Sequence, residues 1–171
     1  MAHSVELLLD PETDAAIRGI WEALAEKGIR SQAAHRGPSN RPHVTMTVSA
    51  GIAGDVDREL SAAAAALPLS CRIGAPVLFG RGPFTLARLV VPCVELLELH
   101  ADIYRICQPH MPSGAFAHAA PGHWTPHVTL ARRVDAAQLD RAMPAAGPDI
   151  DGAFVRLRRW DGDARSEYPI G

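Results

Sequence analysis

Residues 42–46 read Pro-His-Val-Thr-Met, and residues 126–130 read Pro-His-Val-Thr-Leu. The two stretches lie about half a chain apart and place proline, histidine, valine and threonine in the same order. Valine and threonine favour extended backbone, and proline is tolerated at the start of a strand. Each stretch therefore predicts a β-strand that begins at its histidine, and the repeat predicts a chain built from two similar halves.

The elements around these strands follow one order in both halves: strand, helix, loop, His-Val-Thr strand, helix, strand. Asp10 followed by Pro11, and Asp135 with Gln138 three residues later, are typical helix N-terminal patterns. Periodicity predicts the other elements, with strands at 4–9, 43–49, 69–79, 84–91, 127–133 and 150–159, and helices at 55–66 and 94–107. We predict a single domain over residues 1–171, with pseudo-repeat lobes at about 1–82 and 83–171.

The composition restricts the possible functions. The 171-residue chain has a net charge of −2, which argues against a protein that mainly grips the backbone of duplex nucleic acid but leaves a small substrate or an RNA end open. Its three widely spaced cysteines form neither a disulfide framework nor a C-x-x-C metal site. Because there is no apolar run of about 18 residues and no signal-peptide pattern, we expect a cytoplasmic protein without a membrane partner. We expect a monomer, although no sequence pattern indicates the oligomeric state.

The histidine and threonine of each motif are two residues apart, and on a strand such side chains point to the same face. His43 and Thr45 would share a face, as would His127 and Thr129, while the residues between them point into the core. A single His-x-Thr is most often an ordinary half-buried strand, so the signal lies in the matched pair. A pseudo-twofold axis relating the halves would bring two imidazoles and two hydroxyls to one cleft.

This set of side chains suits the opening of a cyclic phosphodiester. In-line attack needs a base on the incoming water and an acid on the leaving oxygen, and histidine can serve in either role near neutral pH. Threonine hydroxyls can donate to the non-bridging phosphate oxygens. The chemistry requires neither a metal ion nor a cofactor.

With these paired motifs, the sequence resembles the two-histidine (2H) phosphoesterase superfamily, and within it the bacterial 2′-5′ RNA ligase family. The likeness is strongest in residues 124–132, Trp-Thr-Pro-His-Val-Thr-Leu-Ala-Arg, and where the first strand runs into Leu-Asp-Pro at 9–11. The resemblance implies an α+β, bilobal fold with two antiparallel sheets and flanking helices around a central cleft. It also implies 2′,3′-cyclic phosphodiesterase activity on RNA ends or nucleotides, in some members with 2′-5′ RNA ligation, with His43 as acid and His127 as base.

Two further residues are candidates for substrate binding. In related enzymes an arginine shortly after the second motif contacts the phosphate, and Arg132 matches it; strict alternation would place Arg132 on the other face, in solvent, unless the strand bulges. Trp124 either stacks on a base or packs against the lobe. In the first strand, Glu6 stands where RNA-acting relatives often carry a cleft-facing aromatic residue, which argues against base stacking from that side.

Two other function classes remain open on the sequence. One is a non-catalytic protein that binds an RNA end or a nucleotide on the same fold. The other is a zinc hydrolase, suggested by His110, His118, His123 and His127, although their spacing is irregular and no cysteine or carboxylate lies close by in sequence.

The remaining expectations concern the surroundings of the cleft. The loops 29–42 and 108–125 run directly into the motif strands, and we expect them to rim the cleft. Arg156, Arg158 and Arg159 cluster on the last predicted strand; they could steer an RNA phosphate, but we expect them to lie on a solvated edge.

Overall fold

A computed structural model describes residues 1–171. Its helices are α1 (Pro11–Glu26), α2 (Val56–Ala64), α3 (Val94–Cys107) and α4 (Leu139–Ala145). Its strands are β1 (His3–Leu9), β2 (His43–Ser49), β3 (Leu69–Phe79), β4 (Phe84–Val90), β5 (His127–Val134), β6 (Ile150–Asp161) and β7 (Ser166–Ile170). The sequence predicted every one of these elements except β7, which contains Pro169 and lies at the edge of the sheet, where proline is tolerated.

All the strand pairs are antiparallel, and the strands run in the order β1-β2-β5-β4-β3-β6-β7, with a further pairing between β1 and β6. The predicted α+β class, with antiparallel strands and flanking helices, is confirmed. The strands form one continuous sheet where the sequence predicted two, because β2 pairs with β5 at Val44 and Val128 and the third strand of each half crosses to the other half.

This crossing follows the pseudo-twofold relation between the halves. β1 lies between β2 and β6, and β4 lies between β5 and β3, so each first strand pairs with its own motif strand and with the third strand of the other half. β6 is therefore an interior strand. The expectation of a solvated edge was wrong for Arg158 and Arg159, which are each only 4% exposed and are bonded to carboxylates of other elements. Arg156, on the same strand, is exposed as expected.

The helices cover the outer face of the sheet and complete the core. Asp10 caps α1 by accepting hydrogen bonds from the backbone N–H groups of Glu12 and Thr13, an interaction typically worth about 1 kcal/mol. The apolar face of α1 is buried at Ile17 and Leu24 within the main cluster of core side chains. No helix has both the length and the apolar composition that a bilayer crossing requires.

Candidate active site

The two motif strands present their histidines and threonines on one side and their aliphatic residues on the other. Val44 and Val128 are fully buried, and they are opposite each other in the only residue pair that joins the two strands. Because the strands run antiparallel from this pair, each histidine lies across from the threonine of the other strand. The structure brings the two motifs together, since all four polar side chains line one open cleft of about 530 Å³: His43, Thr45, His127 and Thr129.

A β-bulge occurs at the same position in both motif strands. On β2 the pairing with β1 skips Met46, and on β5 the pairing with β4 skips Leu130. One extra residue reverses the alternation that follows, so the residue five positions after each histidine returns to the cleft face. Val48 and Arg132 accordingly line the cleft. Strict alternation would have placed Arg132 on the other face, and the bulge returns it to the cleft.

Both imidazoles are held by the same backbone contact. His43 Nδ1 lies 2.8 Å from the carbonyl oxygen of Arg41, and His127 Nδ1 lies 2.7 Å from that of Thr125. A carbonyl can only accept, so Nδ1 carries a proton in each ring and Nε2 is the atom that gains or loses one. The fold therefore fixes the tautomer of both histidines.

Two indoles hold the threonines in a matching way. β2 and β5 pair only at Val44 and Val128. The next residue on each strand is the motif threonine, and its backbone carbonyl accepts a hydrogen bond from a tryptophan. Trp124 Nε1 donates to the oxygen of Thr45 at 2.9 Å, and Trp21 Nε1 donates to the oxygen of Thr129 at 3.1 Å. These bonds satisfy buried backbone acceptors next to the hydroxyls that face the cleft.

The surroundings of His43 are anionic. The Glu6 side chain is 6% exposed, and its Oε1 lies 3.6 Å from His43 Nε2. Glu6 accepts a hydrogen bond from Ser4 Oγ at 2.6 Å and pairs with Arg158 at 2.7 Å. Burial acts to raise the pKa of Glu6, but the charges of His43 and Arg158 and the hydrogen bonds from Ser4 and Arg158 outweigh it and hold that pKa below its ordinary value. The carboxylate is therefore ionised beside His43.

The surroundings of His127 are cationic. Burial lowers the pKa of His127 below its ordinary value; the hydrogen bond to the Thr125 carbonyl opposes this, and the charges of Arg132, His43 and His118 add to it. His127 is therefore neutral near pH 7, with a free lone pair on Nε2. The two halves of the site are alike in geometry and opposite in electrostatics.

Aromatic side chains complete the cleft wall. Phe79 contacts the His127 ring, with centroids 4.6 Å apart, and Trp160 also lines the cleft. Trp124 also lines the cleft, and its ring stacks on His100 with centroids 3.9 Å apart and an interplanar angle of 2°. Trp124 thus both packs on the fold and borders the cleft. No sequence pattern indicated Phe79 or Trp160, which lie at the ends of the two exchanged strands.

The histidines that suggested zinc do not form one group. His118 and His123 lie in the loop 108–125 and line the cleft, as expected of that loop, whereas His110 is ion-paired with Asp55 and Glu59 on α2 and its N-cap. The compact group of possible metal ligands in the structure contains none of these four histidines: His3, Asp161 and Asp163.

The comparisons with known proteins agree with this geometry. A family model described as the 2′-5′ RNA ligase superfamily matches residues 9–164. Among solved structures, TT0787 of Thermus thermophilus is similar with a TM-score of 0.61 and 16% identity, covering 100% of this chain and 96% of that one.

Two further solved structures share the fold. E. coli LigT complexed with NADP+ has a TM-score of 0.53 and 15% identity, covering 99% of this chain and 94% of that one. Kluyveromyces marxianus Usb1 has a TM-score of 0.51 and 12% identity, covering 99% of this chain and 97% of that one. No curated protein sequence matches. Since the family model spans residues 9–164, including both motif strands, the protein belongs to the 2′-5′ RNA ligase superfamily.

Proposed function

We propose that this protein is a metal-independent phosphodiesterase that opens 2′,3′-cyclic phosphates of RNA ends or nucleotides. The observation that carries the proposal is the pair of tautomer-fixed imidazoles in one cleft, one beside a buried carboxylate and the other in a cationic environment. General acid–base catalysis needs one proton donor and one proton acceptor at the same pH. The charged neighbours differ, with Glu6 beside His43 and Arg132 beside His127, and this difference favours a separate role for each ring.

The proposed reaction consumes one water. His127 Nε2 takes a proton from the water, whose oxygen attacks phosphorus, and the bond from phosphorus to the 3′ oxygen breaks. His43 Nε2 gives its proton to that oxygen, so a 2′-phosphate and a free 3′ hydroxyl result. Thr45 and Thr129 donate hydrogen bonds to the non-bridging oxygens, and Arg132 adds positive charge. A 5′ hydroxyl replacing the water would give a 2′-5′ linkage, which is the ligase variant of the same chemistry.

The assignment of roles rests on the charged neighbours of each ring. The lowered pKa of His127 leaves its Nε2 unprotonated near neutral pH, as a base requires. The ionised Glu6 at 3.6 Å gives an imidazolium at His43 a partner of opposite charge. The reverse assignment would put the proton on the ring that already lies among positive charges.

Nucleotides suit the size and lining of the cleft. E. coli LigT was solved with NADP+ and with ATP, and Kluyveromyces marxianus Usb1 with uridine monophosphate, at TM-scores between 0.52 and 0.53. The aromatic wall formed by Phe79, Trp124 and Trp160 offers apolar surface for a base or a ribose.

The test is hydrolysis of 2′,3′-cyclic nucleotides and of RNA with a cyclic phosphate end, in the presence of EDTA. We expect turnover by the wild type, and a loss of roughly 10²–10⁴-fold in kcat for His43→Ala and for His127→Ala. His110→Ala, which removes a histidine outside the cleft, is the control and should retain full activity. Turnover that is unchanged in both cleft variants, or that EDTA abolishes, would refute the proposal. Binding without turnover would instead indicate a non-catalytic RNA-end or nucleotide binder.

A further inference from the structure

A second depression, which we call the arginine groove, adjoins the cleft on the side of His127. It has a volume of about 240 Å³, and no carboxylate or apolar side chain lines it. Its lining consists of Arg30, Ser31, Gln32, His35, Arg132 and Arg133. Arg132 lines both the cleft and the groove, so the two depressions are continuous at that side chain.

None of the three arginines of the groove has a partner within the protein. Seven arginines elsewhere bond to a carboxylate within 4 Å: Arg18, Arg41, Arg72, Arg88, Arg105, Arg158 and Arg159. Arg30, Arg132 and Arg133 make neither an ion pair nor a side-chain hydrogen bond within the protein. Three like charges around one depression repel one another, and an anionic ligand with oxygen acceptors relieves that repulsion.

The backbone that carries these residues is fastened in place. Ser31 is buried, pairs with Ala131 through an isolated β-bridge, and donates its hydroxyl to the carbonyl of Trp21 at 2.6 Å. The loop that follows α1 is thereby fixed against β5, beside Arg132. The groove is thus built on a strand and on a loop segment bonded to it.

The two arginines of β5 reach the surface through irregular backbone. Arg133 has φ of 57°, in the left-handed region that side chains other than glycine rarely adopt, at a cost of roughly 1 kcal/mol or more. Pairing with β4 is irregular at the same point, and both consecutive arginines are exposed where a regular strand would expose one. Strained backbone that turns two cations to the same depression is typical of a ligand site.

We propose that the arginine groove binds backbone phosphates of single-stranded RNA whose cyclic phosphate end occupies the cleft. This inference rests on the proposed function and narrows its substrate class to RNA ends in preference to mononucleotides. The overall charge of −2 is compatible with it, because the positive charge is local to the groove and is needed only for the few phosphates next to the reacting end. Arg132 connects the reacting phosphate with those that precede it in the strand.

The test compares a 2′,3′-cyclic mononucleotide with an RNA oligonucleotide that ends in a 2′,3′-cyclic phosphate. The double variant Arg30→Gln/Arg133→Gln should lower the ratio of kcat/KM for RNA to kcat/KM for the mononucleotide by about tenfold. Loss of two phosphate contacts should also reduce the slope of log affinity against log salt by roughly 1.4, since each contact on a single strand contributes about 0.7. The matched control Arg58→Gln/Arg156→Gln, which removes two unpaired arginines elsewhere, should leave both quantities unchanged.

A binding measurement separates this inference from the proposed function. The probe is a fluorescently labelled RNA oligonucleotide ending in a 2′-phosphate, which is not a substrate. Weaker RNA binding by Arg30→Gln/Arg133→Gln than by the control variant supports phosphate binding in the arginine groove, whether or not the wild type hydrolyses a cyclic phosphate. Equal binding in the two double variants, or an unchanged ratio of kcat/KM values, refutes the groove even if mononucleotide hydrolysis confirms the proposed function. Absence of hydrolysis with both substrates would refute the proposed function alone.

Discussion

Trp21→Phe is expected to lower kcat, because Trp21 is hydrogen-bonded to the backbone of Thr129. The indole N–H donates to the carbonyl of Thr129 at 3.1 Å, and Trp21 is 3% exposed. Phenylalanine keeps most of the ring but removes the indole donor to that part-buried carbonyl, at a cost of about 1–3 kcal/mol. For a chain of this size each kcal/mol lowers Tm by about 2–4 °C, so a fall of roughly 2–12 °C is expected.

The catalytic effect has an upper limit set by Thr129 itself. A hydrogen bond from its hydroxyl to a charged phosphate is worth about 1.5–3 kcal/mol, which corresponds to roughly 10–150-fold in rate. Trp21→Phe displaces that hydroxyl without removing it, so kcat should fall by no more than it does in Thr129→Ala. In the double variant the effects on kcat should not multiply, because both changes remove the same interaction.

The assay is kcat on a cyclic mononucleotide well below Tm, together with thermal unfolding. Leu24→Ala on the same helix is the control: Leu24 is fully buried and bonds to neither motif strand, so it should lose about 2–5 kcal/mol of stability with kcat unchanged. Effects of Trp21→Phe and Thr129→Ala that multiply in the double variant would refute the reasoning, as would a loss of kcat in Leu24→Ala equal to that in Trp21→Phe.

Three further predictions follow from the site and its supports. Arg132→Gln removes a charge that lowers the pKa of His127, so the pKa of His127 should rise in the variant. Because His127 is the proposed base, the acidic limb of the kcat/KM profile should move to higher pH. A pH titration of activity, or of the His127 NMR signal, checks this prediction. Glu6→Gln should cost about 1–3 kcal/mol in urea unfolding at pH 7, because the buried Arg158 loses one of its two carboxylate partners and keeps Glu167. The pKa of Glu6 in the folded protein lies below its ordinary value of 4.5. The ionised Glu6 therefore stabilises the fold above pH 4.5, and this stabilisation is lost as the pH falls through the pKa of the folded state. Glu6→Gln lacks the titrating carboxyl, so it should lose less stability on acidification than the wild type. Gly152→Ala would place a Cβ atom against Thr13 Oγ1 and disturb the N-terminus of α1, which should lower the urea midpoint by the equivalent of about 1–3 kcal/mol; an unchanged midpoint would contradict that packing.

The sequence predicted the elements whose signals are local. Alternation, helical periodicity and N-caps are encoded within a few neighbouring residues, and they were enough for the bounds of β2, β3 and α3 to match the structure. That His43 and Thr45 point to the same face was predictable for the same reason, since side chains alternate between the two faces of a strand. β7 was missed because five residues with a proline give too short a pattern.

The placement of Arg132 and the partners of Glu6 could not be predicted in this way. A bulge is a mismatch between two strands, so it is defined only once β4 lies against β5. Glu6 is bonded to Arg158, which is 152 residues away in the chain. That contact exists because β6 pairs with β1 within the one continuous sheet. The same pairing buried Arg158 and Arg159, two of the three arginines that were expected to lie on a solvated edge.

The repeated His-Val-Thr stretches by themselves predicted two similar halves, and they indicated the four side chains that line one cleft in the structure. Both facts depend on residue identity and on a period of two, which any strand obeys. Only the tertiary structure decided that the two halves of the site differ, with Glu6 beside His43 and Arg132 beside His127. The physical reason is that electrostatic surroundings are set by charges brought together from distant parts of the chain, at distances that only the folded backbone fixes.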